Sequence, residues 1–92
     1  MARIEGWKFS WEKKPRYKGD SHSMAWQNTI DKNIWIVGEQ RGDRFWNLML
    51  SNTNSRDTQA IGLGYSTKKA TMEAAAMIMR KYPRGENMWY HR

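Results

Sequence analysis

Large apolar residues alternate with small or polar ones along Gly6-Trp7-Lys8-Phe9-Ser10-Trp11, the period-two pattern of a half-buried strand. The stretch 12–22 then gathers Lys13, Lys14, Arg16 and Lys18 around Pro15 and Gly19 and predicts a basic loop. Residues 24–30 fit two elements, a strand or a short helix capped by Ser23 with Met24, Trp26 and Ile30 as its contacts. Beyond them Ile34-Trp35-Ile36-Val37 is β-branched and aromatic, bounded by Asp31-Lys32-Asn33 and Gly38, and predicts a strand. Phe45-Trp46-Asn47-Leu48-Met49-Leu50 predicts a second, with Trp46, Leu48 and Leu50 on its more apolar face, and Gln40-Arg41-Gly42-Asp43 supplies a hairpin turn between the two. After the polar cluster 51–57, residues 58–65 make a third strand through Ala60, Ile61 and Leu63. Three strands joined by short turns form an antiparallel meander.

The period changes at residue 66. Ser66 or Thr67 caps a helix over 66–82 that is filled by alanine and methionine and closed by Pro83 and Gly85. At 100° per residue, Ala70, Ala74, Met77, Ile78 and Tyr82 share one face, with Lys69, Glu73 and Arg80 opposite. The tail carries Met88, Trp89 and Tyr90, aromatic enough to dock back. The expected fold is therefore α+β: an antiparallel sheet of three or more strands with one long C-terminal helix packed on it. We expect one domain over 1–92, divided into an aromatic and basic N-terminal extension (1–33), the three-stranded meander (34–65), the helix (66–82) and the tail (83–92).

Composition narrows the chemistry. The chain has 92 residues, a formal net charge of +7 and no cysteine. The missing thiols exclude disulfide frameworks, thiolate zinc sites, iron–sulfur clusters and cysteine nucleophiles together. No segment has the apolar run of a signal peptide or a membrane span, so a soluble cytoplasmic protein without a membrane partner is expected. His22 and His91 fall in a loop and at the terminus, both expected on the surface, with no further ligand at a metal-like spacing. No serine stands in a nucleophile elbow. Neither an enzyme nor a cofactor is expected. The basic excess points to a polyanionic partner, or else only to solubility.

Gly62-Leu63-Gly64-Tyr65-Ser66 runs from a strand into a helix and invites comparison with a phosphate cradle, but it lacks the full dinucleotide fingerprint and the Walker lysine. Its glycines predict a bulge or a close passage of the helix over the strand. Lys68 and Lys69 stand in the first helical turn, where cations oppose the macrodipole and a nearby phosphate would reverse that penalty.

On these residues, Gly64-Tyr65-Ser66-Thr67-Lys68-Lys69-Ala70-Thr71-Met72-Glu73-Ala74-Ala75 resembles the C-terminal strand–helix junction of the double-stranded-RNA-binding domains. Ser66, Lys68, Ala70, Ala74 and Ala75 fall on matching positions, while Thr67 and Thr71 stand where that family prefers lysine. The resemblance implies that Lys68 contacts phosphate across a major groove, with Lys69 as a substitute for a missing neighbour, and that Arg41 and Arg44 flank a hairpin loop that enters a minor groove. The family's first helix would have to come from residues 24–30, and its hairpin signature is replaced here by Arg41-Gly42-Asp43. The YegP-like family of unknown function is similar over the same region, through Trp46, Asn52 or Asn54, Gly64-Tyr65-Ser66-Thr67-Lys68 and Ala74. Both resemblances imply strands followed by one helix.

The aromatics Trp7, Phe9, Trp11, Trp26, Trp35, Trp46 and Trp89 divide between core and a stacking surface for bases, with core the commoner use in so small a domain. The expected function is a small basic nucleic-acid-binding module, with structured or double-stranded RNA favoured, acting through phosphate contacts. Its contacts would be Lys68, Lys69, Arg41 and Arg44, and the loop cations Lys13, Lys14, Arg16 and Lys18. The alternative is a protein-interaction module whose exposed surface of Met72, Met79, Met88 or Trp89 docks on a partner protein. No motif sets an oligomeric state.

Overall fold

A computed structural model describes residues 4–41 and 45–85. The elements are β1 (Trp7–Lys13), β2 (Ser21–Asn28), β3 (Ile34–Arg41), β4 (Trp46–Asn52), β5 (Asp57–Tyr65) and α1 (Lys68–Lys81). All five strands join one antiparallel sheet in the order β1-β2-β3-β4-β5, and α1 packs over β3, β4 and β5. The α+β expectation of a sheet with a single C-terminal helix on one face therefore holds. Residues 24–30, whose pattern suits either a strand or a helix, are mostly β2. The aromatic and basic N-terminal extension contributes β1 and β2 to the same sheet, which therefore has five strands.

Strand alternation assigns the two faces. Under the helix, Trp26, Ile36 and Leu50 are paired across β2, β3 and β4, as are Met24, Gly38 and Leu48 in the next row. With Ile34, Trp46, Ala75 and Met79 they form the core. Each fully buried aliphatic side chain contributes about 1.5–3 kcal/mol. The helix comes closest at Gly38, where a Cβ would stand 3.3 Å from Met24 Cε and 3.5 Å from Thr71 Cγ2.

That contact sets the rotation of the helix and corrects the expected face. Thr71, Ala75, Ala76 and Met79 are the buried residues, whereas Met77, assigned to the packed face by periodicity, is 70% exposed. The cap is Thr67, whose hydroxyl accepts from the Ala70 N–H at 3.0 Å.

A second correction concerns β1. Its register shifts between Phe9 and Trp11, so Phe9 pairs with Trp26 while Trp11 pairs with Ala25. A bulge reverses the parity of the residues beyond it. Phe9 faces the helix side and meets Trp26 edge-on at 5.8 Å, but Trp11 is turned to the opposite face.

The far end of the helix is fastened to the start of the chain. Trp7 Nε1 donates to the Tyr82 carbonyl at 2.9 Å, and buried Asn28 donates through Nδ2 to the Pro83 carbonyl at 3.0 Å. Asn28 Oδ1 also accepts from the Ile30 and Asp31 N–H groups, ordering the β2–β3 turn. Gly6 has φ +85°, and a Cβ there would fall 1.9 Å from the Pro83 oxygen.

Candidate nucleic-acid interface

The antiparallel order brings the end of β1, the start of β2, the end of β3, the start of β4, the end of β5 and the start of α1 to one edge of the molecule. Register makes this explicit: Lys13 pairs with Ser23, Ser21 with Arg41, Gln40 with Trp46, and Trp46 with Tyr65. Lys13, which ends β1 rather than lying in the loop expected over 12–22, the loop cations Lys14, Arg16 and Lys18, the strand terminus Arg41 and the helix-start residues Lys68 and Lys69 are therefore gathered at this end, although 55 residues separate Lys13 from Lys68 in the chain. Arg44 belongs to the same hairpin but lies outside the described residues, and Arg41 enters here as a backbone position. The other end carries cations as well, Lys32, Arg56 and, in the last turn of α1, Arg80 and Lys81, beside Asp31 and Asp57.

Asp20 organises the basic loop. Its carboxylate accepts from the Arg16 N–H at 3.0 Å, from the Ser21 N–H at 2.9 Å and from Lys13 Nζ at 3.3 Å. The Arg16 N–H, above all, holds this carboxyl below its ordinary range, with Lys13 and the Ser21 N–H adding to the effect against a desolvation cost. Lys13 is thereby drawn into an ion pair, while Lys14, Arg16, Tyr17 and Lys18 remain exposed on the outside of the loop.

Glu12 ties three elements together. Its Oε2 accepts from Lys68 Nζ at 2.8 Å and lies 2.6 Å from His22 Nε2. Lys68 is the largest cause of the lowered Glu12 carboxyl, His22 the next, and burial works against both. His22 is not the surface residue expected of it: it belongs to β2, its side chain is 15% exposed, and its ring meets Trp46 edge-on at 4.8 Å. The bulge in β1 brings Glu12 to it, because it returns Glu12 to the helix-covered face in the row of Met24. Among the described residues no third carboxylate, histidine or cysteine joins the pair to make a metal site.

Lys68, expected to contact phosphate, thus already has a carboxylate partner. Lys69 is exposed, and the Thr67 cap takes up neither its N–H nor that of Lys68. The glycine junction before them has local work. Gly64 has φ +79° and donates to Asn47 Oδ1 at 3.2 Å, and the Tyr65 ring lies so close over Gly62 that a Cβ would fall 2.3 Å from its hydroxyl. The expected bulge is present, as register shifts in β4–β5, but the close helix passage is at Gly38.

On the face away from α1, Trp11, Ala25, Val37, Met49 and Ala60 form a cross-strand row over all five strands. It is narrow, and Trp35 is the one apolar residue beside it in the rows that flank it. Gln27, Trp35, Ser51 and Thr58 lie on one side of it, and Ser23, Glu39 and Asn47 on the other. Trp11 is 42% exposed, and at the basic end Phe45 and Tyr17 are 63% and 67% exposed.

Sequence reasoning grouped the cations but missed Glu12, His22, Tyr17 and Phe45. For Tyr17 a signal was present, an aromatic interleaved between Arg16 and Lys18. The apolar surface expected for a protein partner does not form as drawn, since Met79 is fully buried and Met72 partly so; Met88 and Trp89 lie outside the described residues. The helix that a double-stranded-RNA-binding layout places before its sheet has no counterpart among the described residues, where 24–28 are strand. No helix of the described chain is long and apolar enough to cross a membrane. Comparison with protein-family models, with curated proteins and with solved structures returns no match.

Proposed function

We propose that this chain is a nucleic-acid-binding module that holds the phosphate backbone at its basic end. The observation that carries this reading is the convergence of the β1–β2 loop, the β3 terminus and the helix start on one edge of the sheet. The acids at that edge strengthen the reading. Asp20 and Glu12 are occupied by Lys13, Lys68 and internal N–H groups, so Lys14, Arg16, Lys18 and Lys69 present their charge outward. Such a surface attracts any polyphosphate backbone through counterion release, without base specificity.

The test is a binding titration with RNA across a salt series. The logarithm of affinity should fall linearly with the logarithm of salt concentration. A Lys14→Glu, Lys18→Glu pair should weaken binding at every salt concentration and flatten the slope by about 1 for each phosphate contact removed. Both residues are exposed loop positions, so the fold should survive the change. Absence of binding to any RNA or DNA at low salt would end the proposal.

A further inference from the structure

We infer that the ligand is single-stranded nucleic acid, and that its bases stack on Trp11, Tyr17 and Phe45 along the uncovered face of the sheet and its basic edge. This rests on the phosphate-binding reading above and specifies the strand type. Three observations carry it. First, the bulge in β1 turns Trp11 away from a core that could have buried it and onto the open face, beside Ala25. Ala25 beneath it is fully buried, and the Trp11 ring itself, 42% exposed, is the accessible surface on which a planar base can lie. Second, the exposed rings are interleaved with cations. Lys8 is exposed two residues before the bulge, and Tyr17 projects from the loop between Arg16 and Lys18. Alternation of rings and cations suits a chain that alternates bases and phosphates. Third, a protein partner fits less well, because the apolar row is bordered by Ser23, Glu39 and Asn47 on one side and by Gln27, Ser51 and Thr58 around Trp35 on the other, whereas interface cores are broad and depleted of charge.

Duplex is disfavoured on the same ground. Paired bases are already stacked inside their helix, so exposed rings gain nothing from them. Trp35, half-buried one row below Trp11, would extend the ledge toward β3.

The experiment measures anisotropy of labelled single-stranded RNA and DNA oligomers of about ten nucleotides, within the range one small domain covers, beside the same sequences as duplexes. The single strands should bind more tightly than the duplexes. Trp11→Ala should weaken single-strand binding roughly 5- to 100-fold, the usual effect of removing one stacked ring, and Trp11→Phe should restore most of it. Tyr17→Ala lies in a loop and should weaken binding in the same direction, which keeps the test decisive if Trp11→Ala disturbs β1. Duplex bound as tightly as single strand, or affinities indifferent to loss of these rings, overturns base stacking and leaves the phosphate reading standing. Failure of every oligomer to bind at low salt overturns both.

Discussion

Among the described glycines Gly6 has the least room for a side chain, because two independent constraints meet there. Its φ of +85° disfavours any side chain, and the Pro83 carbonyl occupies the space a Cβ would need. Gly19 shares the first constraint, with φ +90°, but has nothing within 4 Å of its absent side chain. Gly19→Ala should therefore cost only the left-handed penalty, about 1–2 kcal/mol. Gly6→Ala should cost more than about 3 kcal/mol, since the start of β1 must also separate from the end of α1. Thermal denaturation of the two variants decides this, at roughly 4–8 °C per kcal/mol for a domain of this size; equal losses would mean that the Pro83 contact yields freely. The buried indoles differ in a similar way. Trp7 has the Tyr82 carbonyl as acceptor, while Trp26 Nε1 is buried with no partner. An unpaired buried N–H costs about 1–3 kcal/mol, which the packing of the Trp26 ring has to offset.

Between elements, Glu12 joins β1, β2 and α1. Because its folded carboxyl is held below the ordinary glutamate range, the unfolded chain takes up the proton first on acidification. Its contribution is therefore full above about pH 4.5 and is lost as pH falls through the lower folded value. Glu12→Gln should cost about 1 kcal/mol or less at pH 7, because Glu12 and both its partners reach solvent. It should also remove part of the acid-side loss of stability, leaving the part due to Asp20, which has the same sign. Urea titrations at several pH values measure both, and an unchanged acid profile in the variant would refute the linkage. This junction was poorly legible in the sequence, for a physical reason. Strands β3, β4 and β5 and the helix were readable because each carries its own period, and the cap and the closing Pro83 and Gly85 are local signals. Glu12 and His22 meet only after a bulge, which adds one residue and leaves no compositional mark of its own at Ser10. The helix rotation was misread because alanine and methionine surround it on most sides, so the contact of Thr71 with Gly38 decides what periodicity cannot. Residues 24–30 were ambiguous because Met24, Ala25 and Trp26 are consecutive apolar residues with no alternation to set a period.

At the scale of the molecule, the shortest principal dimension is 19 Å, the depth of one sheet and one helix. The fold is two-layered, and its two ends are held by different chemistry. Ion pairs bind the basic end, while buried hydrogen bonds to Tyr82 and Pro83 bind the other. Asn28→Ala removes three hydrogen bonds at once and should cost several kcal/mol. In hydrogen exchange it should release the first residues of β1 and the last turn of α1 together, while β3 and β4 keep their protection. Independent release of the two segments would show that they are not one cooperative unit. The near-contact of Gly6 with Pro83 also makes the covalent order of the elements less binding than their spatial order. Joining the segment after Gly85 to the segment before Ile4, with a new opening in the exposed β4–β5 turn at 53–56, should keep every described strand pairing and the helix in place. The architecture is in this sense a ring, and circular permutation would open it at a turn remote from the basic edge.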